Sequence, residues 1–258
     1  MKIKVLGCSG SEMPNSHPPA FLVDNSMLLD AGTVTSLLTE NAQSKITHIF
    51  ITHAHLDHIK SIPSLADNML VNNIKHKIEI IGVKNVLKAL KANLLNNSIW
   101  PDFTNIPSHK PVLGLRSIEV GKRYSINGYG IIAGKVNHSV PAAGYIITDS
   151  KGRRLVYTGD TGPGAGLWTR VNAETKTTAV NALIIEVTFP NKMKDLAIIT
   201  GHLTPALLLG ELKKLKKLPE KILITHPKPQ FSKIIAKELH RLGIKQIEML
   251  KEGKTYVI

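Results

Sequence analysis

The stretch "ITHAHLDHIKSI", residues 51–62, places three histidines and one aspartate within six consecutive positions. These residues are His53, His55, Asp57 and His58, and apolar segments flank them on both sides. In a tight loop, side chains at positions i and i+2 can converge on one ion, while those at i+4 and i+5 reach a second. Imidazole and carboxylate ligands without thiolate suit Zn²⁺, Mn²⁺ or Fe²⁺. The spacing therefore predicts a metal site with ligands for two ions.

Three further candidate ligands follow predicted strands farther along the chain. His138 comes after "GIIAGKV", Asp160 after "RRLVYTG" and His226 after "KILIT". Sites are usually assembled on the loops that leave the ends of strands, because a rigid sheet positions them. Asp160 is the candidate for a carboxylate that bridges two ions, and such a pair can deprotonate a water and hold the oxygens of an in-line displacement. A closed structural zinc site needs only four ligands, so the larger set favours a catalytic centre.

The remaining sequence predicts the elements that must position these side chains. Strands are predicted over residues 2–7, 21–25, 27–32, 47–52, 77–82, 117–120, 128–138, 144–149, 153–160, 181–189, 221–226, 246–250 and 254–258. Helices are predicted over 59–71, 83–95, 204–218 and 232–242, the third with Thr204 as N-cap and Pro205 in its first position. Hairpin-rich stretches thus alternate with strand–helix units in each half. This alternation predicts two sheets packed face to face with helices outside.

Length and charge limit the possible partners. A chain of 258 residues without a linker rich in Ser, Gly or Pro predicts a single domain over residues 1–258. The 33 basic residues against 19 acidic ones give a net charge of +14, which favours anionic partners such as nucleotides, RNA or lipid head groups. A solvated lysine-rich surface is the alternative, since no arginine-rich arm or interleaved aromatic residues accompany the charge.

Cysteine content and hydropathy indicate the compartment. Cys8 is the only cysteine, which excludes a disulfide framework and a thiolate metal cluster. No apolar run approaches the roughly 20 residues that a membrane-spanning helix needs, and the N-terminus lacks the apolar core of a signal peptide. The sequence therefore predicts a soluble cytoplasmic protein that does not enter a membrane.

The motif "THAHLDH", followed in order by His138, "TGDTG" and "ITH", resembles the metallo-β-lactamase superfamily over essentially the whole chain. The resemblance implies an α/β (α+β) fold, the four-layer αββα sandwich, with the metals at the edge between the two sheets. It implies two divalent cations, zinc first, with manganese or iron as alternatives. By position, the first ion would be bound by His53, His55 and His138. The second would be bound by Asp57, His58 and His226, and Asp160 would bridge the two.

Two further motifs, "IIEVTFPN" and "TGHLTP", resemble positions of the tRNA 3′-end processing endonucleases, in which a glutamate and a histidine work as a pair. By this match, Glu186 orients His202, and His202 protonates the departing alkoxide. A sugar alkoxide is a poor leaving group, and a positioned acid typically contributes roughly 10²–10⁴-fold to the rate. Asp57 is expected to be a catalytic residue, like this pair, as well as a metal ligand.

The motifs "HLDH", "TGDTGP", "EVTFPN" and "GHLTP" together are most similar in sequence to those of the class II cyclic-nucleotide phosphodiesterases. The endonucleases typically have serine at the position of Leu203 and carry a long arm rich in Gly and Lys. In some members that arm lies between the bridging aspartate and the glutamate, an interval that is short and weakly basic here. Pro63 departs from the class II pattern, which expects aliphatic residues after "HLDHIKSI".

The sequence thus predicts a metal-dependent phosphodiesterase that hydrolyses purine 3′,5′-cyclic nucleotides, cyclic AMP or cyclic GMP, to 5′-monophosphates. The substrate partner is then a small anionic nucleotide, and relatives of this kind are often homodimers. An RNA 3′-end processing endonuclease is the first alternative. A non-catalytic module that binds a nucleotide or nucleic acid is the second, and a thioesterase or lactamase is the third. The loops "PNSHPPAF" and "PGAGLW" are candidates for the base pocket.

Overall fold

Two mixed β-sheets and eight α-helices make up the computed structural model within residues 1–175 and 179–258, the part of the chain that it describes. The strands are β1 Lys2–Gly7, β2 Ala20–Val23, β3 Met27–Leu29, β4 His48–Phe50, β5 Ile78–Gly82, β6 Leu113–Ser117, β7 Arg123–Ile126, β8 Tyr129–Lys135, β9 Ala143–Thr148, β10 Arg154–Tyr157, β11 Ala182–Glu186, β12 Lys221–Thr225, β13 Ile247–Met249 and β14 Thr255–Val257. The helices are α1 Glu40–Gln43, α2 Leu56–Ile59, α3 Ile62–Val71, α4 Lys84–Asn93, α5 Gly166–Glu174, α6 Lys194–Thr200, α7 Pro205–Leu212 and α8 Ser232–His240.

Each sheet combines an antiparallel part with a parallel part. The first sheet has the strand order β14-β1-β2-β3-β4-β5-β6, antiparallel up to β3 and parallel from β3 onward. The second has the order β13-β12-β11-β10-β9-β8-β7, parallel from β13 to β10 and antiparallel from β10 to β7. Parallel neighbours need crossover connections, usually helices, so the strand–helix units lie in the parallel parts.

The two sheets bury a common apolar layer between them. Phe21 and Phe50 of the first sheet meet Tyr157 and Tyr145 of the second, with ring centroids 5.3 Å and 5.5 Å apart and edge-to-face geometry. Aromatic pairs in this geometry stabilise a core by about 0.5–1.5 kcal/mol beyond the area that they bury. Apolar contacts from strands of both sheets continue this layer, so the predicted face-to-face packing is confirmed.

Helices cover the outer faces of both sheets. Leu65 of α3 and Leu90 of α4 pack with the outer residues of the first sheet. On the second sheet, Trp168 of α5, Leu208 of α7 and Ile235 of α8 form the corresponding layer. The order helix, sheet, sheet, helix is the predicted αββα sandwich. Among the described residues, no helix is both long and apolar enough to cross a membrane.

The helix predicted over 59–71 begins three residues later, and a separate short helix precedes it. The chain turns first through α2, Leu56–Ile59, and then through α3, Ile62–Val71, with Pro63 in the first turn of α3. Proline is tolerated there because its missing N–H has no intrahelical partner in a first turn. The departure at Pro63 therefore marks the start of a new helix, and Asp57 and His58 lie in a helical turn rather than in an open loop.

Other differences from the sequence prediction concern weakly patterned segments. A strand was expected over 117–120, but β6 covers Leu113–Ser117, and β7 was not expected at all. The β6 sequence "LGLRS" contains glycine, which weakens strand propensity, and its pairing with β5 is a long-range contact. The helix α5 was also missed. It begins at Gly166 and its buried face consists of Leu167, Trp168 and Val171, which alone give little periodic signal.

The N-cap prediction at Thr204 is confirmed, because its side chain accepts a hydrogen bond from the Leu207 backbone N–H at 3.3 Å. We expect Thr204→Ala to lower the free energy of unfolding by about 1 kcal/mol, since an N–H at the start of α7 loses its partner. Urea denaturation measures this change. Thr204→Ser keeps the hydroxyl and should retain most of the stability. An equal loss in both variants would assign the effect to methyl packing instead of capping.

Candidate metal centre

Five of the seven predicted ligands lie just beyond the ends of strands, and the other two, Asp57 and His58, lie in α2 shortly after β4. His53 and His55 follow β4 of the first sheet. His138, Asp160 and His226 follow β8, β10 and β12 of the second sheet. The two sheets face each other, so these strand ends open onto one edge of the sandwich. Side chains that are up to 173 positions apart in the sequence, from His53 to His226, are thereby placed within one cluster.

One group of side chains consists of His53, His55, His138 and Asp160, whose potential ligand atoms all lie within 4.8 Å of one another. Nε2 of His53 lies 3.0 Å from Nδ1 of His55, and Nε2 of His138 lies 3.3 Å from the same atom. Oδ2 of Asp160 is 3.6 Å from His53 Nε2 and 3.9 Å from His138 Nε2. Nitrogen and carboxylate oxygen atoms thus converge on one small volume.

A second group consists of Asp57, His58 and His226, again with ligand atoms within 4.8 Å of one another. Oδ2 of Asp57 lies 3.3 Å from His226 Nε2 and 3.7 Å from His58 Nε2. Asp160 adjoins this group as well, with Oδ1 3.4 Å from His58 Nε2 and Oδ2 3.4 Å from His226 Nε2. The Asp160 carboxylate therefore lies between the two groups, where a bridging ligand would have to be.

Hydrogen bonds on the outer side of the histidine rings turn their inner nitrogens toward the cluster. Nδ1 of His138 donates to the Gly201 carbonyl at 2.9 Å, and Nδ1 of His226 donates to Thr188 Oγ1 at 2.9 Å. Nδ1 of His58 donates to Asp30 Oδ2 at 2.8 Å. Each bond selects the tautomer that leaves Nε2 as the inward atom, which is how metal-binding histidines are usually oriented.

Asp30 is a site residue that the sequence reasoning missed. Its buried carboxylate accepts hydrogen bonds from the backbone N–H and the hydroxyl of Thr52, from His58 Nδ1 and from the Tyr157 hydroxyl, at 2.6–2.8 Å. The signal in the sequence was an aspartate before Ala-Gly at the end of "MLLDAG". Asp30 fell within the predicted strand over 27–32, and nothing marked it as a site residue, because none of its partners lies near it in the chain.

The burial and the pKa values of the cluster side chains suit a bound cation. Nε2 of His58 is buried and makes no hydrogen bond with the described residues, although carboxylate oxygens of Asp160 and Asp57 lie 3.4 and 3.7 Å away. A buried polar atom without a partner is costly, and a bound cation would use it. Burial lowers the pKa of His53 well below its usual value, which keeps that ring neutral and able to coordinate. Burial alone would raise the pKa of Asp160, but the neighbouring His226 and His58 hold it well below its usual range.

Glu186 and His202 form a pair beside the cluster. Oε1 of the buried Glu186 accepts a hydrogen bond from His202 Nδ1 at 2.7 Å, and the His202 ring stacks on His226 with centroids 5.4 Å apart. Burial lowers the pKa of His202, but the charge of Glu186 and its hydrogen bond outweigh burial and raise that pKa above its usual value. A histidine with a raised pKa next to the cluster can hold a proton for a leaving group.

The other contacts of Glu186 fix its orientation. The backbone N–H groups of Thr161 and Leu203 donate to its two carboxylate oxygens at 3.1 and 3.2 Å, and Thr188 Oγ1 donates to Oε2 at 2.7 Å. Thr188 also accepts from His226, so it joins the pair to the cluster. The sequence "EVTF" gave no reason to single out this threonine, since its role depends on contacts across strands.

His202 lies directly after the end of α6. Gly201 ends that helix in the left-handed conformation, with φ 69°, and its carbonyl is the one that orients His138. A Cβ at this position would lie 3.0 Å from the Cα of His138, tighter than side chains ordinarily pack. Glycine is therefore required both for the backbone conformation and for the close approach of the two segments.

Residues 24–226 match the family model described as the Beta-lactamase superfamily domain. The chain belongs to the beta-lactamase superfamily. This family assignment and the αββα architecture confirm the resemblance and fold that the motifs predicted. The metallo-β-lactamase fold and the His/Asp cluster together support divalent metal binding.

Curated proteins with two kinds of name resemble this chain. The chain is 28% identical over 244 residues to a probable 3′,5′-cyclic-nucleotide phosphodiesterase of Yersinia pestis, a match covering 83% of this chain and 68% of that protein. It is 29% identical over 219 residues to ribonuclease Z of Pyrococcus abyssi, covering 80% and 68%. The solved structure of unliganded yeast PDE1 shares the fold, with a TM-score of 0.84, 19% identity and coverage of 98% of both chains. These matches support phosphodiesterase or nuclease chemistry at the level of the superfamily.

We expect Asp160→Ala to lose bound metal, because its carboxylate adjoins both groups of candidate ligands. Loss of even an outer hydrogen-bond partner of a ligand costs about 10–100-fold in metal affinity, so we expect at least that loss here. Elemental analysis of dialysed protein measures the metal bound per chain, and circular dichroism checks folding. Asp67→Ala removes an exposed carboxylate of α3 and serves as the control. A folded Asp160→Ala protein with unchanged metal content would contradict the prediction.

Proposed function

We propose that residues 1–258 form one domain that hydrolyses 3′,5′-cyclic nucleotides to 5′-monophosphates with the help of two divalent cations. His53, His55 and His138 would hold the first ion, and Asp57, His58 and His226 the second. Asp160 would bridge them, consistent with its position between the two groups. Zinc is the proposed metal, with manganese or iron as alternatives, because the donors are imidazole and carboxylate groups.

Bound divalent ions would supply a deprotonated water at neutral pH and neutralise charge on the phosphoryl oxygens. The side chains and backbone of the protein position the groups around these ions. Asp30, Thr188 and the Gly201 carbonyl hold the ligand rings in position through the hydrogen bonds described above. These fixed rings mean that little reorganisation is needed when substrate arrives.

The single observation that carries the proposal is the hydrogen bond of 2.7 Å between Glu186 and His202 at the edge of the cluster. An alkoxide such as the 3′ oxygen of ribose leaves poorly unless it is protonated. His202, whose pKa Glu186 raises, would donate a proton from its other ring nitrogen to that oxygen. Glu186 is a positioning residue in this scheme, because it contacts His202 and not the substrate.

Two features favour a cyclic nucleotide as the substrate. Three of the curated relatives, at 24–28% identity, are named as 3′,5′-cyclic-nucleotide phosphodiesterases, one of them as a probable one. In addition, the interval between Asp160 and Glu186, where some endonucleases carry a basic arm, holds α5, which packs on the second sheet through Trp168. Residues 176–178 of that interval lie outside the described residues.

An RNA 3′-end processing endonuclease remains the second candidate. The net charge of +14 suits a polyanionic substrate, and ribonuclease Z is among the relatives at comparable identity. The same cluster and the same acid would serve either substrate, since both reactions expel a ribose oxygen from phosphorus.

A turnover screen separates these candidates. Purified protein, with its bound metal quantified, is assayed with cyclic AMP, cyclic GMP, precursor tRNA and a thioester. We expect the cyclic nucleotides to be hydrolysed with the highest kcat/KM and to yield only 5′-monophosphates. Faster cleavage of precursor tRNA would replace the proposal with the endonuclease. Metal-free protein that binds nucleotides without turnover would indicate a non-catalytic module, and a preference for thioester would indicate the thioesterase alternative.

The acid role of His202 predicts a dependence on the leaving group. His202→Ala should keep its metal and lose roughly 10²–10⁴-fold in turnover of cyclic AMP. It should lose much less on bis-p-nitrophenyl phosphate, because p-nitrophenolate leaves without protonation. Paired kinetic measurements on the two esters test this, with His240→Ala, an exposed histidine of α8, as the control. Equal losses on both esters would remove His202 from the role of general acid.

A further inference from the structure

A cavity of about 420 Å³ begins at the His55 ring and extends along α4. Its walls are mainly aliphatic and include Leu56, Ile59 and Val86 together with Val140 and Pro141. The volume and the apolar lining are typical of small-molecule sites. Because His55 also belongs to the cluster, a ligand whose phosphate reached the cluster could place its other end here.

Leu56 makes this region unusual for a protein surface. Its side chain is 65% exposed, although it lies between His55 and Asp57. When a flat apolar ligand covers so exposed an apolar side chain, the burial of apolar surface is favourable and lowers the free energy of the complex. The cavity therefore favours a ligand with an apolar face at this distance from the phosphate.

The polar side chains in the described lining, besides His55, are the carboxamides of Asn85 and Asn93. Nδ2 of Asn93 already donates to the Ala89 carbonyl at 3.0 Å. The Asn85 side chain is exposed in the first turn of α4, and the described residues offer it no hydrogen-bond partner. Asn85 is thus the carboxamide free to pair with a ligand in the cavity.

We propose that this cavity is the subsite for the purine base and that Asn85 makes it prefer adenine to guanine. The proposal rests on the proposed function and adds to it the choice of base. A carboxamide pairs twice with adenine, because N7 accepts and the N6 amino group donates. Guanine presents two acceptors, N7 and O6, on the same edge, and the carboxamide oxygen would face one of them unpaired.

The other cavities near the strand ends suit a base less well. A cleft of about 750 Å³ that shares Asn85 is wide, and its lining includes the charged residues Lys84, Lys135 and Glu119. The "PGAGLW" loop, expected as a candidate for the base pocket, lines a separate and smaller cavity of about 260 Å³. The "PNSHPPAF" loop contributes none of the described residues that line the 420 Å³ cavity.

Asn85→Leu tests the choice of base. We expect kcat/KM for cyclic AMP to fall about tenfold and that for cyclic GMP to change little, because one bidentate pair discriminates between bases by roughly that factor or more. Asn85→Gln keeps the carboxamide and should retain part of the preference. Asn41→Leu makes the same change at the second residue of α1, at an exposed position that does not line the cavity, and is the matched control.

Ala89→Phe tests the cavity itself, because Ala89 is a half-buried wall residue and a phenyl ring would fill the space. We expect KM for both cyclic nucleotides to rise, with no change in turnover of methyl p-nitrophenyl phosphate, which has no base. If the cyclic-nucleotide KM values stay unchanged in folded protein, the base does not bind in this cavity.

Binding measurements keep this test separate from that of the proposed function. Calorimetry of the metal-loaded protein should show tighter binding of 5′-AMP than of 5′-GMP, and Asn85→Leu should abolish the difference. If that pattern appears in a protein that hydrolyses no cyclic nucleotide, the base subsite stands and the proposed function fails. If cyclic AMP and cyclic GMP are hydrolysed and bound alike, and Asn85→Leu affects both equally, the function stands and the subsite is overturned.

Discussion

The buried carboxylate of Asp30 is the interaction on which the geometry of the cluster depends. It accepts hydrogen bonds from Thr52 after β4, from His58 in α2 and from Tyr157 in β10, so it connects the first sheet, the candidate ligands and the second sheet. A buried charge is tolerated only when it is fully hydrogen-bonded. The same bonds that make Asp30 tolerable therefore set how the two sheets meet and where His58 points.

Two residues at these strand ends have a strained backbone. Asp30 and His226 both adopt left-handed conformations, with φ 54° and 66°, which cost free energy for residues other than glycine. In His226 the strain is offset by its backbone N–H, which donates to the Cys8 carbonyl at 2.6 Å, and by the bond from its ring to Thr188. The left-handed turns place the Asp30 carboxylate and the His226 ring at the cluster immediately after β3 and β12.

The sequence predicted the candidate ligands because their types are chemically distinctive and their places follow strands that apolar patterns reveal. The structure brings all of them together at one edge, while their role as ligands stays a prediction. The sequence could not predict Asp30 or Thr188 as site residues, since ordinary polar residues acquire such roles only through partners distant in the chain. Tyr157, for example, is 127 positions from Asp30. The fold followed from alternation of hairpins and strand–helix units, whereas β6, β7 and α5 depend on packing that local propensity does not encode.

The contacts that orient the cluster are internal to the chain. Glu186 is held by Thr161, Thr188 and Leu203, and His138 by Gly201, so contacts within the chain position these candidate site residues. Recognition of the rest of the substrate must then come from surfaces next to the cluster. α4, which contributes no candidate ligand, provides such a surface together with Val140 and Pro141, which follow the candidate ligand His138. Substrate choice can therefore change through these segments while the cluster stays the same, which explains how one superfamily contains relatives named for cyclic nucleotides and for RNA.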